Sequence, residues 1–139
     1  MSIKRTIPLA AAAALIAAAP AAAGGGTATV TISHQMKGCH MWQLGNGNPK
    51  VNLAFTVNAG TTLRVVDNDI MPHRLIQQAG PKLTLVRPDM NKMSASTSVK
   101  LARAGVYRFT TRAGEDYAWM RSMKTTGADN VPHLTVHVK

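Results

Sequence analysis

Apolar and polar residues alternate with a period of two in short runs along most of the chain. From Thr27 to His34, the residues Val30, Ile32 and His34 share one face, and Thr29, Thr31 and Ser33 the other. That is the period of a half-buried strand, because successive side chains leave a pleated backbone on opposite sides. Val51, Leu53, Phe55 and Val57 repeat the pattern before the turn residues Asn58-Ala59-Gly60. Further strands are predicted over Thr61–Val66, His73–Gln77, Ser96–Leu101 and Val106–Thr111. Leu134, Val136 and Val138 close the series. Between these runs, the Gly-, Asn- and Pro-rich stretches Gln35–Lys50, Gly80–Ser94 and Arg112–Pro132 read as loops. Short β-branched strands with no helical stripe predict an all-β antiparallel sandwich.

Residues 1–23 stand apart from this pattern. Lys4 and Arg5 precede an alanine-rich apolar run, and Ala21-Ala22-Ala23 offers small residues at a cleavage point before Gly24. This is the layout of a secretory signal peptide. The run is short for a membrane span, which needs about 20 residues, so no transmembrane segment is expected. The mature chain, 24–139, is then one domain, exported to the periplasm or beyond the cell, and expected to be a monomer.

The formal charge is +10, with basic residues scattered singly rather than gathered in a run. Nucleic-acid binders concentrate such charge on one face or helix, so nucleic acid is not expected as a partner. The field instead favours an acidic protein or an anionic surface.

Two places carry candidate chemistry. In Asp67-Asn68-Asp69-Ile70-Met71-Pro72-His73, a turn-forming acidic stretch and a conformationally fixed proline hold one imidazole on a corner between strands. His73 would be a ligand there, or a turn histidine hydrogen-bonded to Asp67 or Asp69. The second place is Cys39-His40-Met41-Trp42, which contains the sole cysteine. It cannot form an internal disulfide, and in an exported chain that points to a ligand, a reactive thiol or an intermolecular link. Adjacent strand residues point opposite ways, so Cys39 and His40 share one ion only if the chain bends at Gly38. His34, on the inner face of the first strand, competes with His40. Glu115-Asp116 and a Cys39–His73 dyad raise the question of catalysis, but no oxyanion-hole signature accompanies them, and an enzyme is not expected. His133 and His137 lie opposite the apolar face of the last strand and should be solvated.

The order of motifs resembles the cupredoxins, the small β-sandwich family of plastocyanin and azurin. An Asn/Asp-rich turn before a histidine (Asp67-Asn68-Asp69…His73) is followed by a Gly-x-Tyr-x-Phe strand (Gly105-Val106-Tyr107-Arg108-Phe109). The resemblance covers Thr27–Lys139 and implies a Greek-key sandwich around copper. It departs at Thr111, which stands where the family carries a ligand cysteine. The family's loop after the first strand lies beside the first histidine, so Cys39 is a credible replacement. Bacterial cupredoxin-domain proteins with a Cys-His-x-Trp motif in that loop are similar. Copper in such a site takes thiolate, imidazole and a weak thioether. The resemblance thus implies Cys39, His40, His73 and Met123 as ligands, with Met120 the alternative axial residue and Trp42 and Trp119 shielding the site. The expected function is electron transfer or copper handling with a redox or copper-exchanging protein, possibly acidic. The alternatives are a metal-free interaction module, or sequestration or redox sensing through Cys39 and the methionines.

Overall fold

A computed structural model describes residues 25–113 and 131–139. The leader 1–23, and with it the cleavage point, lies outside the described residues. So do Glu115, Asp116, Trp119, Met120 and Met123.

Nine strands occur among the described residues: β1 (Thr27–Gln35), β2 (Cys39–Leu44), β3 (Asn52–Val57), β4 (Thr61–Asn68), β5 (His73–Ala79), β6 (Asp89–Met90), β7 (Ser96–Leu101), β8 (Gly105–Ala113) and β9 (His133–Val138). They form two sheets, β2-β1-β4-β7 and β3-β9-β8-β5-β6. The all-β sandwich is the one that the alternation predicts, and the β7 range coincides with the sequence reading. The antiparallel expectation needs correcting, because both sheets are mixed. β1 runs parallel to β4, and β3 runs parallel to β9. Alternation reports which face a residue takes and is blind to strand direction. Direction follows from where the chain crosses between sheets, as it does from β2 to β3 and again from β3 to β4.

A second correction concerns Gln35–Lys50, read above as a loop. Its middle is β2, an antiparallel partner of β1 in the register Ile32↔Trp42, Ser33↔Met41, His34↔His40 and Gln35↔Cys39. The glycines mark the ends of this strand rather than irregular chain. Gly38 (φ +72°) turns the hairpin and Gly45 (φ +52°) closes it. Trp42 also exchanges two backbone hydrogen bonds with Lys50, at 2.9 and 2.8 Å. A further short strand, β6, lies within the stretch Gly80–Ser94 and pairs with the start of β5.

The core lies between the sheets. Val30, Ile32 and Trp42 from the first sheet meet Leu75, Tyr107, Phe109, Leu134 and Val136 from the second, each at most 2 % exposed. Fully burying one such apolar side chain stabilises by about 1.5–3 kcal/mol. Tyr107 keeps its polar tip satisfied by donating to the Arg103 carbonyl at 2.8 Å. His133 and His137 are exposed, as their parity predicts.

One glycine closes the edge of β5. After a register shift between Gln77 and Ala79, Gly80 takes φ +104°. A Cβ there would lie 2.5 Å from the Val106 carbonyl oxygen and 2.9 Å from the Tyr107 Cα. Gly80→Ala should therefore cost about 2–5 kcal/mol, from the left-handed backbone and the forced shift together. A urea-denaturation midpoint equal to that of the wild type would show that this edge yields without cost.

Candidate metal centre

The site assembles at one pole of the sandwich from the β1–β2 hairpin and the β4–β5 turn. β4 ends in a short hydrogen-bonded lattice that holds its acidic tail in place. Asp67 donates its backbone N–H to Ala95, and its carbonyl accepts from Ser94. Its Oδ1 accepts the Asp69 N–H at 3.0 Å, an Asx-type turn. Asp69 Oδ1 accepts the Ile70 N–H at 2.7 Å. Pro72 leads directly into β5, whose first residue, His73, pairs with Met90 on one side and Ala113 on the other. His73 is fully buried.

The hairpin brings the other imidazoles. Gly38 and Cys39 both have positive φ, +72° and +59°. The His40 N–H reaches back to the Gly38 carbonyl at 2.7 Å. Cys39 is thus the centre of a γ-turn of the strained left-handed kind. The bend at Gly38 turns β2 so that His40 faces inward, with its side chain only 3 % exposed. Its cross-strand partner His34 stays 42 % exposed.

Asp69 sits where these elements converge, fully buried. His34 Nδ1 donates to its Oδ1 at 2.9 Å, and His73 Nε2 to its Oδ2 at 3.0 Å. His40 Nδ1 stands 3.7 Å from Oδ2. The His40 and His73 rings meet edge to face, with centroids 4.8 Å apart. Burial by itself would raise the Asp69 pKa, but the hydrogen bonds from His73 and His34 outweigh it and hold the carboxyl below its ordinary range. Asp67 shows the opposite balance. Burial pushes its carboxyl up to about 6, against the hydrogen bond from Asp69 and the nearby His73. Asp67 Oδ2 has no hydrogen-bond partner among the described residues.

With Nε2 committed to Asp69, the other ring nitrogen of His73 lies 2.8 Å from the Thr111 hydroxyl. Position 111, where the resembled family carries its cysteine, therefore does face His73. It supplies a hydroxyl that orients the ring rather than a sulfur.

Among the described residues, His40, Asp69 and His73 form a group whose ligand atoms all lie within 4.8 Å of one another. The spacing suits an ion. Donors at about 2.0–2.2 Å from a tetrahedral metal lie about 3.4 Å apart, and Asp69 Oδ2 stands 3.0 Å from His73 and 3.7 Å from His40. The chemistry suits one too, since two imidazoles and a carboxylate are a common donor set for divalent transition metals. The hydroxyl on the far nitrogen of His73 is the outer support such a ligand usually has.

Of the residues proposed from sequence, the structure brings His40 and His73 together. Cys39 is half-buried at the start of β2 and is not a member of that group. Met123 lies outside the described residues. Trp42, expected to shield the site, is completely buried two residues along the same strand face as His40. From sequence, Asp69 is only a turn residue and, with Asp67, one of two candidate hydrogen-bond partners of His73. The hydrogen bond is present, and the same carboxylate also gathers the two hairpin histidines. The signal for that was the spacing of His34 and His40 around Gly38, which makes them cross-strand partners in a tight hairpin.

No protein-family profile and no curated relative matches the chain. Among solved structures it is similar to a purple cupredoxin from Nitrosopumilus maritimus, with 17 % identity over 78 % of this chain and 98 % of that one, at a TM-score of 0.45. It is also similar to an oxidised mutant of amicyanin, with 16 % identity over 80 % of each chain, at a TM-score of 0.42.

Proposed function

We propose that this is an exported protein that holds a single copper ion, for electron transfer or copper handling with a redox or copper-exchanging protein. The observation that carries the reading is the buried convergence of His40, Asp69 and His73 on one point. Copper, when bound, supplies a one-electron couple. His40 and His73 bind it as neutral imidazoles, and Asp69 offsets its charge. Thr111 fixes the His73 ring, and Trp42 keeps water from the interior side. Cys39 would add its thiolate and Met123 its thioether sulfur to the donor set. In this reading the protein is a carrier and not an enzyme, and its mature form begins at Gly24.

The surface supports an acidic partner. Among the described residues the acidic side chains are Asp67, Asp69 and Asp89. The first two are buried in the site, and Asp89 is held by the Arg74 guanidinium at 2.5 and 2.9 Å. The exposed Lys and Arg side chains thus present a positive field that would steer a negatively charged protein.

A rival reading has one observation in its favour: both ring nitrogens of His73 already have protein partners, as they would in a metal-free structural node. Titrating Cu(II) into the mature protein separates the two. The copper reading expects saturation at one ion per chain, with weaker uptake in acid, because protonation competes with the metal for the ligands, and with proton release where the Cys39 thiol binds as thiolate. No uptake would leave the metal-free reading standing. The visible spectrum then tests Cys39. A thiolate ligand gives intense sulfur-to-copper absorption, which Cys39→Ser should abolish. If the serine variant kept the wild-type spectrum, the thiolate assignment would be wrong and imidazole and carboxylate would hold the ion.

A further inference from the structure

At the pole opposite the metal centre, a cleft of about 370 Å³ opens between the loop after β5 and the end of β7. Lys100 pairs with Thr62 at the start of β4, whereas Asp69 follows the end of that strand. At a rise of about 3.3 Å per residue, the two places lie about 20 Å apart. Three cations line the cleft: Lys82 from the loop, and Lys100 and Arg103 from β7 and the turn after it. No aspartate or glutamate lines it, and none of the three cations is ion-paired among the described residues.

The walls are fixed to the core. The Gln77 side chain donates to the Pro81 carbonyl at 2.8 Å and accepts the Leu83 N–H at 3.0 Å, clamping the loop on both sides of Lys82. Pro81 packs against Gly105, where an added Cβ would meet its ring at 3.0 Å. The buried Tyr107 donates to the Arg103 carbonyl at 2.8 Å and so holds the turn that carries Arg103. Leu83, Pro81 and Tyr107 add apolar surface to the same cleft. Like charges around one concavity repel, and its walls focus their field on whatever enters. A bound anion relieves that repulsion and gains charge-assisted hydrogen bonds from two ammonium groups and a guanidinium. The volume is at the small end of ligand sites, so the occupant is a small molecule. We infer that this cleft binds a small organic dianion, with its carboxylate or phosphate groups on Lys82, Lys100 and Arg103 and its apolar body against Leu83 and Tyr107. The inference does not depend on the copper reading.

The test is titration of the mature protein with phthalate and with phenyl phosphate, two dianions that share an apolar ring, followed by amide chemical shifts. One saturable site per chain is expected, with shifts concentrated at residues 81–84 and 100–103. Tighter binding of phthalate assigns the ligand to the dicarboxylates, and tighter binding of phenyl phosphate assigns it to the phosphate esters. Inorganic phosphate, which lacks the ring, should bind more weakly, and equal binding would overturn the part given to Leu83 and Tyr107. Lys82→Gln and Arg103→Gln should each weaken binding by about tenfold, the loss expected on removing one charged hydrogen bond, with copper uptake unchanged. Arg112→Gln removes an exposed cation of β8 outside the cleft and should leave anion binding as it is. Equal weakening in Arg112→Gln, or shifts spread over the whole basic surface, would overturn the inference, because the overall field would then hold the anion. Failure of both dianions to bind would overturn it as well.

Discussion

Asp69→Asn is expected to weaken Cu(II) binding by about a hundredfold or more while leaving the strands in place. The Asx turn uses the Asp67 side chain and the backbone N–H of residue 69, so it persists, and the asparagine oxygen can still accept the Ile70 N–H. What is lost is the charge and one of two accepting oxygens. An ionised carboxylate only accepts hydrogen bonds, which is why His34 and His73 can both point a ring N–H at it. The amide would turn an N–H₂ toward one of them and set donor against donor. Competition titration against a chromophoric chelator reads the affinity, and circular dichroism reads the fold. An unchanged affinity would mean that Asp69 only orients imidazoles.

Asp67→Asn is the matched control, and the two carboxyls respond to pH with opposite signs. The Asp69 pKa is lowered by folding, so its contribution is present above the ordinary carboxylate value of 3.8 and is lost as the pH falls through the lower folded value. The Asp67 pKa is raised from 3.8 to about 6 by burial, so folding is favoured below 3.8 and that advantage disappears as the pH rises through 6. At neutral pH Asp67→Asn removes a buried charge at little cost and should be neutral to stabilising, whereas Asp69→Asn should destabilise.

The largest effect on stability is expected from Trp42→Ala, about 3–5 kcal/mol. Against a typical total of about 5–15 kcal/mol, that loss takes much of the margin. Trp42 is wholly buried, lies opposite Ile32 across the hairpin, and its backbone ties β2 to Lys50. His40 sits two residues away on the same face, so a loosened β2 should also weaken metal binding. Trp42→Phe should cost less. It keeps most of the ring area and removes an indole N–H that has no partner among the described residues. Denaturation midpoints for the two variants, with copper titrations on each, test both parts. If Trp42→Ala lost stability but bound copper normally, the hairpin would not be what positions His40.

Much of the fold was legible in the sequence because a sheet residue carries its own burial signal. Parity along Thr27–His34, Ser96–Leu101 and Val106–Thr111 places Val30, Ile32, Val99, Leu101, Tyr107 and Phe109 inward, and each is buried. His73 could be singled out because Pro72 and the acidic turn act locally on its backbone. β2 was missed because its flanking glycines are turn signals whether or not a strand lies between them. Only pairing with β1 makes Cys39–Leu44 a strand. Strand direction was equally hidden, since alternation is the same read either way. The tertiary structure alone decided that His34, His40 and His73 would meet on one carboxylate. That meeting depends on hairpin register and on the approach of β1 to the end of β4, which are long-range contacts. A residue's neighbours in the chain fix which way it faces, whereas its partners across the sheets fix what it finds there.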